Sequence, residues 1–235
     1  MPANFLTKSA YRATSWLGEG LIRLVERLIF NSKDPAFFST DQFYWVKKME
    51  ADYPKIKAEL LRVMQDYPSI PELKKLSEEQ QRIVKGNQWK SFFFYAYGRD
   101  IEKNCMRCPD TSKALQQIPG MLSAFFSILE PGTSLLPHRG LYKGVLRYHL
   151  ALSVPKEYDK CALKVGEQIV HWQEGSSIIF DDTFEHEAWN KSEEIRVLLF
   201  VDFERPLSFP ANLTNKGILW LFSRSPFIQR ILDRV

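Results

Sequence analysis

The sequence is short of several things, and each shortage narrows what the protein can be. No uninterrupted apolar run in its 235 residues approaches the ~20 that a membrane-spanning helix needs, so no transmembrane segment is expected. Arg12, Glu19, Arg23, Glu26 and Arg27 interrupt the N-terminal hydrophobic stretch, which leaves no charged start, apolar centre and small-residue cleavage site of a signal peptide. Cysteine is scarce. Cys105, Cys108 and Cys161 are an odd set that cannot form a full disulfide framework, which points to a reducing compartment and a cytoplasmic location. Cys105-Met-Arg-Cys108 has the spacing of a metal or redox pair, but no second pair, nearby histidine pair or βαβ context completes it. Net charge is only +4, with no basic stripe interleaved with aromatics, no zinc-finger spacing and no RNA-binding signature, so no nucleic-acid partner is expected. Internal repeats and low-complexity tracts are also missing.

What is present is a folded composition, 45% hydrophobic and 14% aromatic, with length for one large domain and a full core. Residues 5–30 place Leu17, Leu21, Leu24, Leu28 and Ile29 at helical spacing, and residues 41–65 repeat the pattern through Phe43, Val46, Met49, Ile56, Leu60 and Val63, with a break expected at Pro54. Pro68, Pro71 and the polar run around Ser77 to Gln81 predict a loop and a short helix. From Trp89 the texture turns to β. Trp89–Tyr97, Leu122–Leu129, Val145–Val154, Ala162–Val165, Ile169–Trp172, Ser177–Phe180 and Ile195–Phe203 are short aromatic and β-branched runs, separated by turn formers such as Pro131-Gly132 and Gly166-Glu167. Residues 101–121 read as inserted loop and helix. The expected class is mainly β with a helical N-terminal region, a sandwich or jelly roll, divided as 1–85 helical, 86–210 β core and 211–235 amphipathic basic helix. Lys216, Arg224, Arg230 and Arg234 stand against the single acid Asp233 in that tail. Two readings are open for the terminal helices: packing on the β core, or peripheral contact with an anionic membrane surface.

Four histidines, at 138, 149, 171 and 186, carry the chemical signal. His138 follows Pro137 in a turn-rich approach to a strand, and His186 closes Phe180-Asp-Asp-Thr-Phe-Glu-His186 directly after an apolar strand. Both positions suit a metal held at the open end of a small barrel, although one such histidine alone is more often structural. Period-two alternation puts Arg147 and His149 on one face of the Val145–Ala151 strand, opposite Leu146, Tyr148 and Leu150, facing solvent or a polar cavity. Arg196 begins an almost wholly apolar strand and needs an anion: a bound carboxylate ligand, or a salt bridge to Asp182 or Glu185.

Taken in order, Ser127-Ile-Leu-Glu-Pro-Gly-Thr, Pro137-His138-Arg-Gly140, Leu146-Arg147-Tyr-His149, Trp172-Gln-Glu-Gly175, Phe180-Asp-Asp-Thr-Phe-Glu-His186-Glu, Arg196, Asp202 and Arg205-Pro206 resemble the aspartyl/asparaginyl β-hydroxylase family over Trp89 to Pro206. The resemblance implies a double-stranded β-helix, or jelly roll, holding Fe(II) and 2-oxoglutarate, with O2 as second cosubstrate. It implies His138 and His186 as the metal ligands and Arg196 as the partner of the distal 2-oxoglutarate carboxylate. Ser127 would assist that binding, with Arg147 and His149 beside the other carboxylate. The wider class uses two histidines and a carboxylate, but the position two after His138 is Gly140. Peptidyl aspartate hydroxylases share that absence, whereas the bacterial lipid A 2-hydroxylases usually carry Asp there.

The implied reaction is hydroxylation of an unactivated C–H bond. Trp89-Lys-Ser-Phe, Cys108-Pro-Asp-Thr111, Leu150 to Pro155 and Asp202 to Pro206 resemble the lipid A enzymes and favour a membrane-lipid acyl chain at the inner face of the membrane. Gly140 favours a peptidyl Asp or Asn side chain. A non-catalytic jelly roll that binds metal or a carboxylate is the reading from a different class.

Overall fold

The computed structural model describes Gly20, residues 25–27, 29–30, 34–73 and 78–224. Leu17, Leu21, Leu24 and Leu28 of the first predicted helix, Ser77, and the tail from residue 225 lie outside the described residues; Val25 to Arg27 and Ile29 are helical as expected.

The chain forms two antiparallel sheets. The larger runs β1 (Phe37–Phe38), β10 (Ser177–Phe180), β7 (Val145–Ser153), β12 (Arg196–Glu204), β5 (Met121–Leu129), β3 (Trp89–Ala96) and β4 (Arg99–Asp100) from edge to edge. The smaller runs β2 (Val84–Lys85), β6 (Thr133–His138), β11 (His186–Asn190), β8 (Cys161–Val165) and β9 (Gln168–Val170). Apart from the β3–β4 and β8–β9 hairpins, neighbours in each sheet are separated by twenty or more residues of chain, as the crossovers of a jelly roll require.

Alternation along the central strands sorts side chains between two cores. Leu146, Tyr148, Leu150, Leu152, Leu199, Val201, Phe92, Phe94 and Phe126 leave the outer face of the large sheet and pack under helix α1 (Val46–Met64). Phe93, Phe125, Ala151, Leu198 and Phe200 leave the inner face and meet Leu135, Leu163, Val165 and Ala188 of the small sheet. Each fully buried large apolar side chain contributes roughly 1.5–3 kcal/mol. Trp45 anchors the helix end, edge-on to Tyr148 and Phe203 at centroid distances of 5.0 and 5.3 Å.

Helix α1 continues through Pro54, where a break was expected. Pro54 is exposed, so the backbone carbonyl that its missing N–H leaves unbonded lies on the solvent side and costs little there. Glu59, buried on the other side, accepts hydrogen bonds from the backbone N–H groups of Asp110 (3.0 Å) and Thr111 (2.8 Å). Its charge thus satisfies the first turn of α4 (Pro109–Leu115), which together with α3 (Glu102–Arg107) fills the segment predicted as loop and helix. The short helix expected near residue 80 is α2 (Glu78–Ile83), and α5 (Ala211–Ser223) follows the last strand.

Five strands were absent from the sequence expectation, among them the two-residue edge β4, which pairs with the end of β3. β1 and β2 are two-residue edges contributed by the N-terminal region that was read as helical. β6 and β11, read as a turn-rich approach and a post-strand segment, are the pair that brings the two histidines together.

Candidate active site

His138 and His186 are directly opposed across β6 and β11, with ring centroids 4.1 Å apart. Each ring points Nδ1 at the carbonyl two residues back, His138 to Leu136 at 2.7 Å and His186 to Phe184 at 3.0 Å. A ring nitrogen that faces a carbonyl must carry the proton, so both Nε2 atoms hold lone pairs. Burial, and then the nearby Arg147 charge, lower the His186 pKa to about 3; burial likewise lowers that of His138. Both rings are therefore neutral at pH 7, the form that binds a metal.

Inner-face alternation on the large sheet supplies the opposite wall. The register aligns Arg147 with Asp202 and His149 with Phe200, while Ser127 of β5 lies across from Leu198. A cavity partly open to solvent lies between the sheets, and its lining includes Ser127, His138, Arg147, His149, His186 and Arg196. Every site residue expected from the sequence thus reaches one cavity, and the solvent-facing alternative for Arg147 and His149 is set aside.

The two arginines are balanced differently. Arg147 donates through Nε to Asp202 at 2.9 Å, and its Nη2 lies 2.9 Å from Asp182. Its Nη1 reaches His186 Nε2 at 3.4 Å, beyond the usual hydrogen-bond range, so that lone pair is barely engaged. Arg196, 2% exposed, forms no salt bridge with Asp182 or Glu185, and its Nε has no hydrogen-bond partner. Burial lowers its pKa to about 10, with only Cys161 acting the other way, yet it stays charged at neutral pH. Its guanidinium lies 4.9 Å from the centre of the Trp172 ring.

Other unpartnered groups gather at that end. Trp172 Nε1 and both nitrogens of His149 are buried without partners. Burial pushes the His149 pKa well below the ordinary range, so the ring is a neutral donor and acceptor between Phe180 and Phe200. Ser127 Oγ accepts from Trp89 Nε1 at 2.9 Å, which leaves the serine proton free to donate into the cavity. A buried cation with several idle donors around it is a seat for a carboxylate. Trp172, Trp89 and the Asp182–Asp202 pair were not expected as site residues. Trp172 stood in a quoted motif without a role, and Asp202 shares its strand face with Arg196 by simple alternation.

Gly140 explains the missing carboxylate in steric terms. A Cβ built there would collide with the Asp182 carboxylate, and the Gly140 N–H donates to the Asp182 carbonyl at 2.7 Å. Among the described residues, no cluster of three or more His, Cys, Asp or Glu is placed to hold a metal. Two neutral histidines side by side are a donor set that fits a metal, and the chain would then supply two of its ligands. The Cys105–Cys108 pair forms no such centre. Burial pushes the Cys108 thiol up to about 12, and Cys105 Sγ contacts the Phe94 carbonyl.

The family model for aspartyl/asparaginyl β-hydroxylase matches residues 50–206. The chain is 45% identical over 200 residues to an ornithine lipid ester-linked acyl 2-hydroxylase of Rhizobium tropici, covering 85% of this chain and 71% of that one. It is 34% identical over 168 residues to the human aspartyl/asparaginyl β-hydroxylase, covering 68% of this chain but only 21% of the human protein. A crystal structure of a Pseudomonas putida prolyl-4-hydroxylase aligns with a TM-score of 0.43 at 14% identity, over 66% of this chain and 88% of the other.

Proposed function

We propose, from the premise that this chain belongs to the aspartyl/asparaginyl β-hydroxylase family, that it is an Fe(II)- and 2-oxoglutarate-dependent hydroxylase of the acyl chain of a membrane lipid. The observation that carries this reading is Arg196: a buried, charged guanidinium without a counter-carboxylate among the described residues, lining the same cavity as two neutral histidines whose ring centroids are 4.1 Å apart. Burying an unpaired cation costs several kcal/mol, and a dicarboxylate that enters the cavity removes that cost.

His138 and His186 would hold the metal through Nε2. Iron and 2-oxoglutarate, when bound, supply the electrons that activate dioxygen, and succinate and carbon dioxide leave as coproducts. The chain positions, neutralises and dries the site. Arg196, Trp172 Nε1 and the Ser127 hydroxyl would receive the distal carboxylate as donors. His149 would donate its ring proton beside the other carboxylate. Arg147, with its charge balanced by Asp182 and Asp202, would hold His186 and the cosubstrate in register without itself demanding an anion. Phe180, Phe200, Leu135, Leu163 and Ala188 line the rest of the cavity with apolar surface and keep water out.

A lipid substrate is supported by the higher identity and fuller coverage against the lipid acyl 2-hydroxylase. On this reading the protein would work at the cytoplasmic face of a membrane. Gly140 favours the second reading, a peptidyl Asp or Asn side chain, as in the peptide-acting members of the family.

The test is anaerobic loading with Fe(II), exposure to oxygen and 2-oxoglutarate, and assay of succinate for the wild type, His186→Ala and Arg196→Ala, followed by incubation with membrane lipid extracts and with Asp- and Asn-bearing peptides. The expected result is succinate from the wild type only, with one oxygen atom added to a lipid acyl chain. Oxygen added to peptide and not lipid would replace the substrate assignment. No succinate with any substrate, despite bound metal and 2-oxoglutarate, would leave a carboxylate-binding jelly roll without catalysis.

A further inference from the structure

The outer face of α5 is apolar and basic, and nothing described covers it. Leu213 and Trp220 are seven residues apart and share one stripe, 65% and 55% exposed, and Leu221 beside them is 63% exposed. Lys216 and Arg224 flank that stripe, and the Arg224 guanidinium lies 3.8 Å from the centre of the Trp220 ring. Residues 205–224 contain no Asp or Glu, so the cationic edge has no acid of its own.

The opposite face of the same helix is committed to the protein. Asn215 Nδ2 donates to the Gly144 carbonyl at 3.0 Å, and Leu219 packs with Phe30 and Tyr142. Tyr142 and Gly144 belong to the segment that links His138 to Arg147, and Leu141 in that segment is 71% exposed. Whatever docks on α5 is therefore held beside the loop that joins the two walls of the cavity.

We infer that the Leu213–Trp220–Leu221 face of α5, with Lys216 and Arg224, docks the protein on the surface of an anionic phospholipid bilayer. The inference rests on the lipid-hydroxylase reading for its purpose but on the helix face for its evidence. Apolar groups would enter the boundary between headgroups and acyl chains, tryptophan sits well at that depth, and the two cations meet lipid phosphates. No described helix is long and apolar enough to cross a membrane. A second copy of the chain fits less well, because a two-fold contact of this face brings basic groups together with no acid between residues 205 and 224 to pair with them.

The test is co-sedimentation of the full chain with vesicles of phosphatidylcholine mixed with phosphatidylglycerol, and with pure phosphatidylcholine. The wild type is compared with Leu213→Ser/Trp220→Ser and with Lys216→Glu/Arg224→Glu. The expected result is binding to the mixed vesicles that weakens by about tenfold or more in both variants and on pure phosphatidylcholine. Circular dichroism and 2-oxoglutarate affinity should be unchanged, since these side chains lie outside the cavity. Wild-type binding that both variants retain, or no binding to either vesicle, overturns the docking face. A dimer in sedimentation equilibrium that dissociates in Leu213→Ser/Trp220→Ser would assign the face to self-association and overturn it as well. Hydroxylation of detergent-dispersed lipid without vesicle binding refutes docking and leaves the enzyme; vesicle binding without any hydroxylation refutes the enzyme and leaves docking.

Discussion

Arg147 and Arg196 rise from the same face of the same sheet, both largely buried, and they sit in opposite electrostatic states. Arg147 is closed between Asp182 and Asp202, each 2.9 Å away, and its third donor touches a histidine. Arg196 has an aromatic ring beneath it, an Nε without a hydrogen-bond partner and, among the described residues, no acid in salt-bridge reach. The difference separates a structural cation from a candidate receiving one: the first is balanced by acids of the chain itself, and the second, on the proposed reading, by the carboxylate of a bound ligand. Their unlike pKa shifts have the same origin. Burial lowers both, and the two carboxylates more than reverse it for Arg147 while nothing comparable acts on Arg196.

The largest expected effect breaks the closed side. Arg147→Met leaves Asp182 and Asp202 facing each other in low dielectric and should cost about 3–5 kcal/mol of stability, whereas Arg196→Met removes an unpaired charge and should be neutral or stabilising. Urea unfolding of both variants without 2-oxoglutarate checks the contrast; equal losses would erase it. Gly140→Asp attacks the same side indirectly. Its new side chain must displace the Asp182 carboxylate from Arg147, so stability should fall by about 1–3 kcal/mol with no gain in Fe(II) affinity, as read by thermal unfolding and metal titration. Tighter iron binding would instead show that Gly140 is replaceable by a third ligand. The smallest effect sharpens the open side. Trp172→Phe keeps a ring beneath Arg196 but removes the idle N–H, and 2-oxoglutarate affinity should fall about tenfold, worth about 1.4 kcal/mol, with stability unchanged. Unchanged affinity would take Trp172 Nε1 out of the carboxylate seat.

Much of this contrast was readable along single strands. Alternation in Val145–Ala151 placed Arg147 and His149 together, and the Ser177–Phe180 strand appears with the boundaries its apolar run predicts. The histidine pair was legible as two residues but not as a pair. Pro137 and the acids around His186 weaken the β signal of β6 and β11, and those strands exist because of their partners in the small sheet. Spacing also could not decide which arginine Asp182 would serve. It stands just past β10, which pairs with Arg147's strand rather than with Arg196's, and only the strand order fixes that. Pro54 misled for a related reason: a proline breaks a helix less readily where the orphaned carbonyl meets water, and exposure is a property of the packed helix.

The most direct measurement is calorimetric titration of 2-oxoglutarate, without oxygen, into the metal-loaded wild type and into metal-loaded Arg196→Met. A fall in affinity of about a hundredfold, as expected for loss of a buried charge-assisted pair, with metal content unchanged, is the predicted result. Equal affinity in the two proteins would contradict it, because Arg196, a buried cation with no described carboxylate beside it, would then have no part in holding 2-oxoglutarate.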